Sequence, residues 1–271
     1  MPRIADSHAH IYPDDIAGRA LKQIASFYNF TDRMNEPDEV GSVDYLLRVS
    51  GENGISVSLV CEAAHKPGLV KTLNDFVRQS CERAGGRLLG LCAIHPGCED
   101  IESILGACKA GGFRGVKIHP DYQGFKMDDP SCDPIYRFCE REQFPILVHC
   151  GDDRYDNDSP ERLQRVIDRY PKMPVIAAHF GGYRNWDRSF YLRPSEGLFF
   201  DTSSSLFALD RETVLRFFEK FGYDRFFFGT DYPLGDIPTE LRRFFELNLP
   251  EPQQEMILWR NFARLFSLSE D

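Results

Sequence analysis

The sequence lacks several features that would place it in familiar classes. No two of its eight cysteines stand in C-x-x-C spacing, which favours reduced, buried thiols over a disulfide or redox motif. No apolar run approaches the roughly 20 residues of a membrane-spanning helix. Lys and Arg number 32 against 42 Asp and Glu, for a net charge of −10. Because phosphate binding needs a basic patch, this balance disfavours a nucleic-acid partner.

Domain boundaries are also missing. The 271 residues contain no low-complexity run, no Ser/Gly linker and no change of composition, with 42% hydrophobic and 27% charged residues. That composition is typical of globular proteins, and the length allows one large α/β barrel or two ordinary domains. We expect a single domain over residues 1–271, located in the cytoplasm because no signal peptide precedes the first strand. A homo-oligomer is compatible with the sequence.

Eight short apolar runs rich in β-prone residues alternate with helical patterns. Their near-continuous apolarity is typical of strands buried on both faces, as in a parallel sheet. Eight strand–helix units in series predict an α/β fold of the (β/α)8 TIM-barrel type. The predicted strands are 3–8, 56–61, 88–94, 115–118, 145–148, 174–178, 198–201 and 225–229.

The first connection is longer than the others. Its surplus, at about residues 13–42, is too long for a plain loop. Because it leaves the strand that carries the first histidines, we expect an inserted, lid-like segment over the barrel mouth that shapes the substrate pocket.

Histidines mark the ends of the predicted strands. In the first strand, DSHAH, alternation puts Asp6, His8 and His10 on one face, where two imidazoles can bind one metal ion. All seven histidines fall at or just past the C-terminal end of a predicted strand and none falls in a predicted helix. Since barrel active sites lie at that face, the pattern predicts a metal-binding barrel mouth. The histidines are His8, His10, His65, His95, His119, His149 and His179.

Four motifs carry a family resemblance that covers nearly the whole chain: DSHAH, VHCG (148–151), AHFGG (178–182) and GTDYP (229–233). Together they resemble the amidohydrolase superfamily, in its amidohydrolase 2 branch. The resemblance implies a distorted (β/α)8 barrel. It also implies a divalent metal, usually zinc, bound by His8, His10, His149 and Asp231.

The residue chemistry agrees with that ligand set. Three imidazoles and a carboxylate suit zinc, which lowers the pKa of bound water to about 7. Asp231 could both bind the metal and accept a proton from that water, and His179 could orient the water or the reacting carbonyl. In some branches of the superfamily the residue at the position of His179 binds a second metal. We expect one divalent ion, zinc first, with manganese or iron as alternatives.

Lys117 and His119 share one face of the fourth strand. In binuclear relatives a carboxylated lysine at the end of this strand bridges two metals. Lys117 lies two residues deeper than His119, so we expect His119 to contact substrate and Lys117 to be a buried charge paired with a carboxylate.

Further candidates for substrate binding follow other strand ends. Arg154 and Arg184 lie on predicted mouth loops, where a guanidinium could bind a substrate carboxylate through two hydrogen bonds. Tyr122 and Tyr232 could line the pocket, as could Glu62 and Asp121. For Asp201, in DTSSS, we expect hydrogen bonds that support the site.

The reaction has two candidates. The superfamily branch contains amide and lactone hydrolases, decarboxylases of aromatic or muconate-like acids, and hydratases. Decarboxylating relatives tend to carry a proline-containing motif after the fifth strand, whereas this chain has H-C-G. We therefore place hydrolysis of a small amide, ester or lactone first and non-oxidative decarboxylation second. A barrel with a structural metal and no chemistry remains a third, disfavoured alternative.

Overall fold

Eight parallel strands form the centre of the computed structural model, which describes residues 3–269. They are paired in chain order from the first to the eighth. Each neighbouring pair is parallel, for example Val116 beside Ile146. The strands are β1 Ile4–His10, β2 Ile55–Cys61, β3 Leu88–Ala93, β4 Gly115–Ile118, β5 Ile146–Val148, β6 Val175–Ala177, β7 Leu198–Asp201 and β8 Phe226–Phe227.

The chain closes the barrel between β1 and the residues that follow β8. Ser7 donates its backbone N–H to the carbonyl of Phe228 at 2.9 Å, and Asp231 donates to the carbonyl of His8 at 2.8 Å. A parallel bridge joins Ala9 to Tyr232. The β1–β2 register is irregular between Asp6 and Ala9. The predicted (β/α)8 barrel is confirmed, including its distortion.

Helices follow the strands as the apolar periodicity predicted, and most connections contain one or two. Several begin at an acidic cap: Asp100 accepts from the N–H of Ser103 at 3.2 Å, and Asp210 from that of Thr213 at 2.8 Å. The helices are α1 Ala17–Tyr28, α2 Val43–Glu52, α3 Val70–Arg83, α4 Ile101–Ala110, α5 Pro120–Gln123, α6 Asp133–Glu142, α7 Pro160–Arg169, α8 Trp186–Ser189, α9 Arg211–Phe221, α10 Ile237–Glu246, α11 Glu251–Glu255 and α12 Asn261–Phe266.

Two apolar clusters stabilise the barrel. The larger one packs the outer strand faces against the helices. The smaller one combines side chains from the strands, such as Leu59, Leu147 and Phe227, with Trp259, Phe262 and Phe266 of the C-terminal segment. Because apolar burial is the main stabilising term in folding, the last helix is part of the barrel's own core.

Some local predictions differ from the structure. The sequence Ser159–Pro160 is typical of a capped helix start, but the Ser159 side chain makes no capping hydrogen bond with α7. The predicted insertion 13–42 contains α1 and a short 3-10 helix, Thr31–Asn35. All eight cysteines are free thiols, six of them buried. Over residues 3–269, no helix is long and apolar enough to cross a bilayer.

Candidate metal centre and active site

The barrel brings the predicted histidines to one end of the strands. His8 and His10 lie in β1, His119 and His149 directly follow β4 and β5, and His179 lies two residues after β6. Because the strands are parallel, their carboxyl ends share one rim. Residues far apart in sequence therefore meet there.

One carboxylate oxygen faces both histidines of β1. The Nε2 atoms of His8 and His10 each lie 3.6 Å from Oδ1 of Asp231, and Ser204 donates a hydrogen bond to Oδ2 at 2.6 Å. Asp231 has a φ of 60°, in the left-handed region that residues other than glycine seldom adopt. Its backbone bond to His8 supports this conformation and directs the carboxylate toward the two imidazoles.

Asp201 supports His8 from behind. Nδ1 of His8 donates to Oδ2 of Asp201 at 2.9 Å, so the lone pair that could bind a metal is the one on Nε2. Burial alone would raise the pKa of Asp201, but the adjacent His8 lowers it to about 2. A carboxylate behind a histidine is a common support for metal-binding imidazoles. The residue that Asp201 is expected to support is therefore His8.

His149 and His179 form a hydrogen-bonded pair next to this group. Nε2 of His179 lies 3.1 Å from Nδ1 of His149. Ligand atoms of His8, His179 and Asp231 all lie within 4.8 Å of one another, whereas His149 falls in a separate group with His119 and Asp158. The structure thus brings two of the predicted ligands, His8 and Asp231, together with His179. It places His10 next to Asp231 and His149 next to His179.

The donor set fits a divalent metal ion. Imidazole nitrogens and a carboxylate oxygen around one point suit zinc, manganese or iron. Burial, with Lys117 acting in the same direction, lowers the pKa of His8 to about 4, so the ring is neutral near pH 7, as a metal ligand must be. Burial alone would raise the pKa of Asp231, but His8 and His10 hold it well below its usual range.

Lys117 lies inside the same group. Its side chain is fully buried, and Nζ donates to Nε2 of His8 at 2.9 Å. The expected carboxylate partner is absent: in the described part of the chain, no acidic oxygen forms a salt bridge with Nζ, and the nearest polar partner is His8. The ammonium and a metal ion would compete for the same lone pair.

A cavity of about 640 Å³ opens onto these groups. His119 and Tyr122 line it, as predicted for substrate binding, and Tyr28 and Phe27 of α1 complete the adjacent wall. The Tyr28 hydroxyl and Nε2 of His119 are hydrogen-bonded at 2.6 Å. The inserted segment therefore contributes directly to the pocket.

Three predicted substrate-binding residues do not line this cavity. Arg154 donates from Nη2 to Asp152 at 2.6 Å and also to the carbonyl of Phe27, so its guanidinium is already paired. Arg184 is exposed and bonds the hydroxyl of Tyr183 at 3.2 Å. The buried hydroxyl of Tyr232 accepts from the N–H of Gly41 at 2.8 Å.

Sequence reasoning missed two contributors. Tyr28 lies in the long first connection, where no strand end marks it. Cys61, at the end of β2, lies 3.8 Å from Nδ1 of His10, and only the tertiary structure reveals that contact.

Comparisons with known proteins agree with this architecture. A family model described as amidohydrolase matches residues 5–268. A 2-amino-3-carboxymuconate-6-semialdehyde decarboxylase from Dictyostelium discoideum is 26% identical over 136 residues, which covers 42% of this chain and only 38% of that protein's length.

Two solved structures are similar over nearly the whole chain. A 5-carboxyvanillate decarboxylase from Novosphingobium aromaticivorans, complexed with manganese, has a TM-score of 0.78 at 15% identity, with 98% of this chain and 96% of that chain covered. A putative 2-pyrone-4,6-dicarboxylic acid hydrolase from Pseudomonas putida has a TM-score of 0.72 at 15% identity, with 98% of each chain covered. At this identity the two similarities establish the fold alone.

Proposed function

The chain belongs to the amidohydrolase family, as its four motifs predicted, and we propose that it is a metal-dependent, non-oxidative decarboxylase of an aromatic or unsaturated carboxylic acid. Sequence analysis placed hydrolysis first. The comparisons favour the alternative, because the curated relative and one of the two similar structures are decarboxylases by name.

Lys117 is the observation that carries the proposal. Its ammonium is fully buried at the cavity wall, and no acidic side chain within residues 3–269 forms a salt bridge with it. A buried charge is costly unless an opposite charge pairs with it. A substrate carboxylate would supply that charge, whereas a neutral amide or lactone would not.

We assign the metal to His8, His10, His149 and Asp231, with one ion bound and zinc or manganese as the leading candidates. When bound, the ion supplies a Lewis acid that polarises a substrate oxygen. His179, through its bond to His149, positions that imidazole. Asp201 positions His8.

Proton delivery completes the reaction. Loss of carbon dioxide breaks the bond between the carboxylate and its neighbouring carbon, and the electron pair left on that carbon must accept a proton. We assign the transfer to Asp231, because Oδ1 lies 3.6 Å from the Nε2 atoms of His8 and His10. His8 and His10 hold the pKa of Asp231 well below its usual range, so its carboxylate carries no proton of its own and relays one that solvent supplies.

The eight free thiols support a reducing compartment such as the cytoplasm.

A paired assay tests the reaction. In the first assay, the purified protein loaded with manganese or zinc is incubated with aromatic and unsaturated acids, and carbon dioxide release is measured. In the second assay, the same protein is incubated with esters and lactones, and acid release is measured. We expect carbon dioxide from at least one acid and its loss on chelation. Acid release from neutral substrates without any carbon dioxide would instead establish the hydrolase. That second candidate is favoured by the pyrone hydrolase fold neighbour.

The variant Lys117→Met tests whether Lys117 binds the substrate carboxylate. Removing one partner of a buried charge pair costs on the order of 3 kcal/mol, or about 100-fold in affinity. We expect that loss in KM, with metal content unchanged because the competitor for His8 is gone. Lys172→Met, at an exposed position, is the matched control. An unchanged KM in Lys117→Met would remove the basis of the proposal.

A further inference from the structure

The cavity extends well beyond the metal-binding groups. Its polar lining, including Lys117, His119 and Asp231, lies at the barrel rim, and its other end lies between α1 and the start of α3. At about 640 Å³ it is in the size range of sites for drug-sized ligands. One carboxylated ring would leave much of this volume unfilled.

The wall from α1 has an apolar stripe that is turned away from the protein core, with Gln23 and Ser26 beside it. Ile16, Ala20 and Ile24 recur every four residues and line the cavity, so they share one face of the helix. A neighbouring face, with Leu21 and Ala25, is buried in the protein. The helix thus has one face for the core and another for the cavity.

The opposing wall has the same character. Leu69, Leu73 and Phe76 line the cavity at helical spacing from the entry into α3. All three are half-buried side chains packed against the core. Apolar surface that a ligand removes from water contributes favourably to binding in proportion to its area.

Cations are scarce in this part of the cavity. Among the lining residues from the described range 3–269, Lys117 is the one lysine and there is no arginine. Arg154 is paired with Asp152. The lining acids, Glu62 and Asp231, supply no positive charge to pair with an anion. A second carboxylate on the substrate would therefore be buried without a partner, which is unfavourable.

We propose that the substrate is a monocarboxylic acid with an extended apolar substituent, which lies between Ile16, Ala20 and Ile24 on one side and Leu69, Leu73 and Phe76 on the other. The inference rests on the proposed function for the position of the carboxylate at Lys117. It adds the chemical class of the part of the substrate that lies beyond the carboxylate.

Binding to the manganese-loaded full chain tests this class without requiring turnover. Three probes are compared by calorimetry: benzoate, 4-octylbenzoate, and the same chain ending in a second carboxylate, 4-(7-carboxyheptyl)benzoate. We expect 4-octylbenzoate to bind at least about 30-fold more tightly than benzoate, given the apolar area it buries. The dicarboxylate should lose most of that gain. Equal Kd values for benzoate and 4-octylbenzoate, or tighter binding of the dicarboxylate, would overturn the inference.

Variants locate the binding site of the apolar group. Ala20→Trp should fill the cavity and Ile24→Gln should make its wall polar, and each should weaken 4-octylbenzoate by at least about tenfold while benzoate changes by less than about threefold. Arg19→Trp, on the exposed face of α1, is the control for inserting an indole. The proposal would be contradicted if Arg19→Trp and Ala20→Trp changed the Kd of 4-octylbenzoate equally. It would also be contradicted if neither Ala20→Trp nor Ile24→Gln changed that Kd in a folded protein.

The two proposals fail in different ways. If 4-octylbenzoate binds as expected and Ala20→Trp blocks it, but no acid releases carbon dioxide, the substrate class stands and the decarboxylase falls. If a compact acid is decarboxylated and the octyl group adds no affinity, the decarboxylase stands and the inference falls.

Discussion

The two ring nitrogens of His8 have different partners. Nδ1 donates to Asp201 and Nε2 accepts from Lys117, so the tautomer is fixed by its neighbours. The one lone pair, on Nε2, lies on the side of the ring where Asp231 lies, 3.6 Å away. Asp201 of β7 thus fixes His8 in the tautomer that the proposed metal ligand needs.

Replacing Asp201 with Asn should weaken metal binding. The amide keeps the shape but loses the charge that orients and polarises His8, and losses of supporting carboxylates cost about 10- to 100-fold in metal affinity. Titration of the apo protein against a competing chelator measures the effect. Asp210→Asn, at an exposed helix cap, should leave the affinity unchanged. Equal affinities for the two variants would contradict the supporting role.

Glu62 should make stability depend on pH. Burial raises the pKa of its carboxyl group to about 8, above the ordinary value of 4.5. Between these values the folded state holds a proton that the unfolded state has lost, so stability falls as the pH rises from about 4.5 through 8. We expect Glu62→Gln to flatten this slope and to be more stable than the parent at pH 9, by on the order of a few kcal/mol. Urea unfolding at pH 5 and pH 9 measures it, and parallel slopes would contradict the prediction.

Among the elements, α12 is expected to matter for the barrel itself. Phe262 is fully buried in the cluster that includes Phe227 of β8. Truncating Phe262 to Ala should lower the free energy of unfolding by about 3–5 kcal/mol, since a buried aromatic ring is lost and a cavity remains. Phe245→Ala, at a side chain 41% exposed, is the control and should cost less than about 1 kcal/mol. Similar losses in urea unfolding would show that α12 does not belong to the core.

The strands could be predicted because each one is a local apolar pattern. Their bounds differ mainly at the ends: the predicted run 225–229 contains only Phe226–Phe227 as strand. The face of α1 that lines the cavity could not be predicted, because helical spacing alone does not tell which face meets the core. Only the packing of Leu21 and Ala25 decides that.

It was harder to predict from the sequence which side chains pair with each other than to predict where each residue lies in the barrel. The partner of Lys117 is 109 residues away in sequence, and a lysine in a strand carries no sign of whether an imidazole or a carboxylate will face it. Arg154 pairs with Asp152, only two residues away. That pairing depends on the conformation of the loop rather than on its composition.

For the whole molecule, metal binding should raise the stability. A ligand that binds only the folded state adds about 4 kcal/mol at 1,000 times its Kd. Thermal unfolding with and without manganese, after chelation, measures the rise in Tm. In the Asp231→Ala variant, manganese should no longer raise the Tm. A rise in Tm that Asp231→Ala retains would place the ion elsewhere.

The hydrogen bond from Asp231 to the carbonyl of His8 joins positions near the two ends of the chain. The complete set of donors therefore does not exist in any fragment that lacks either end. A ribosome-bound chain that stops after β7 would present imidazoles but no final carboxylate. Capture of the ion would then report that synthesis has passed Asp231 and that the ring of strands has closed.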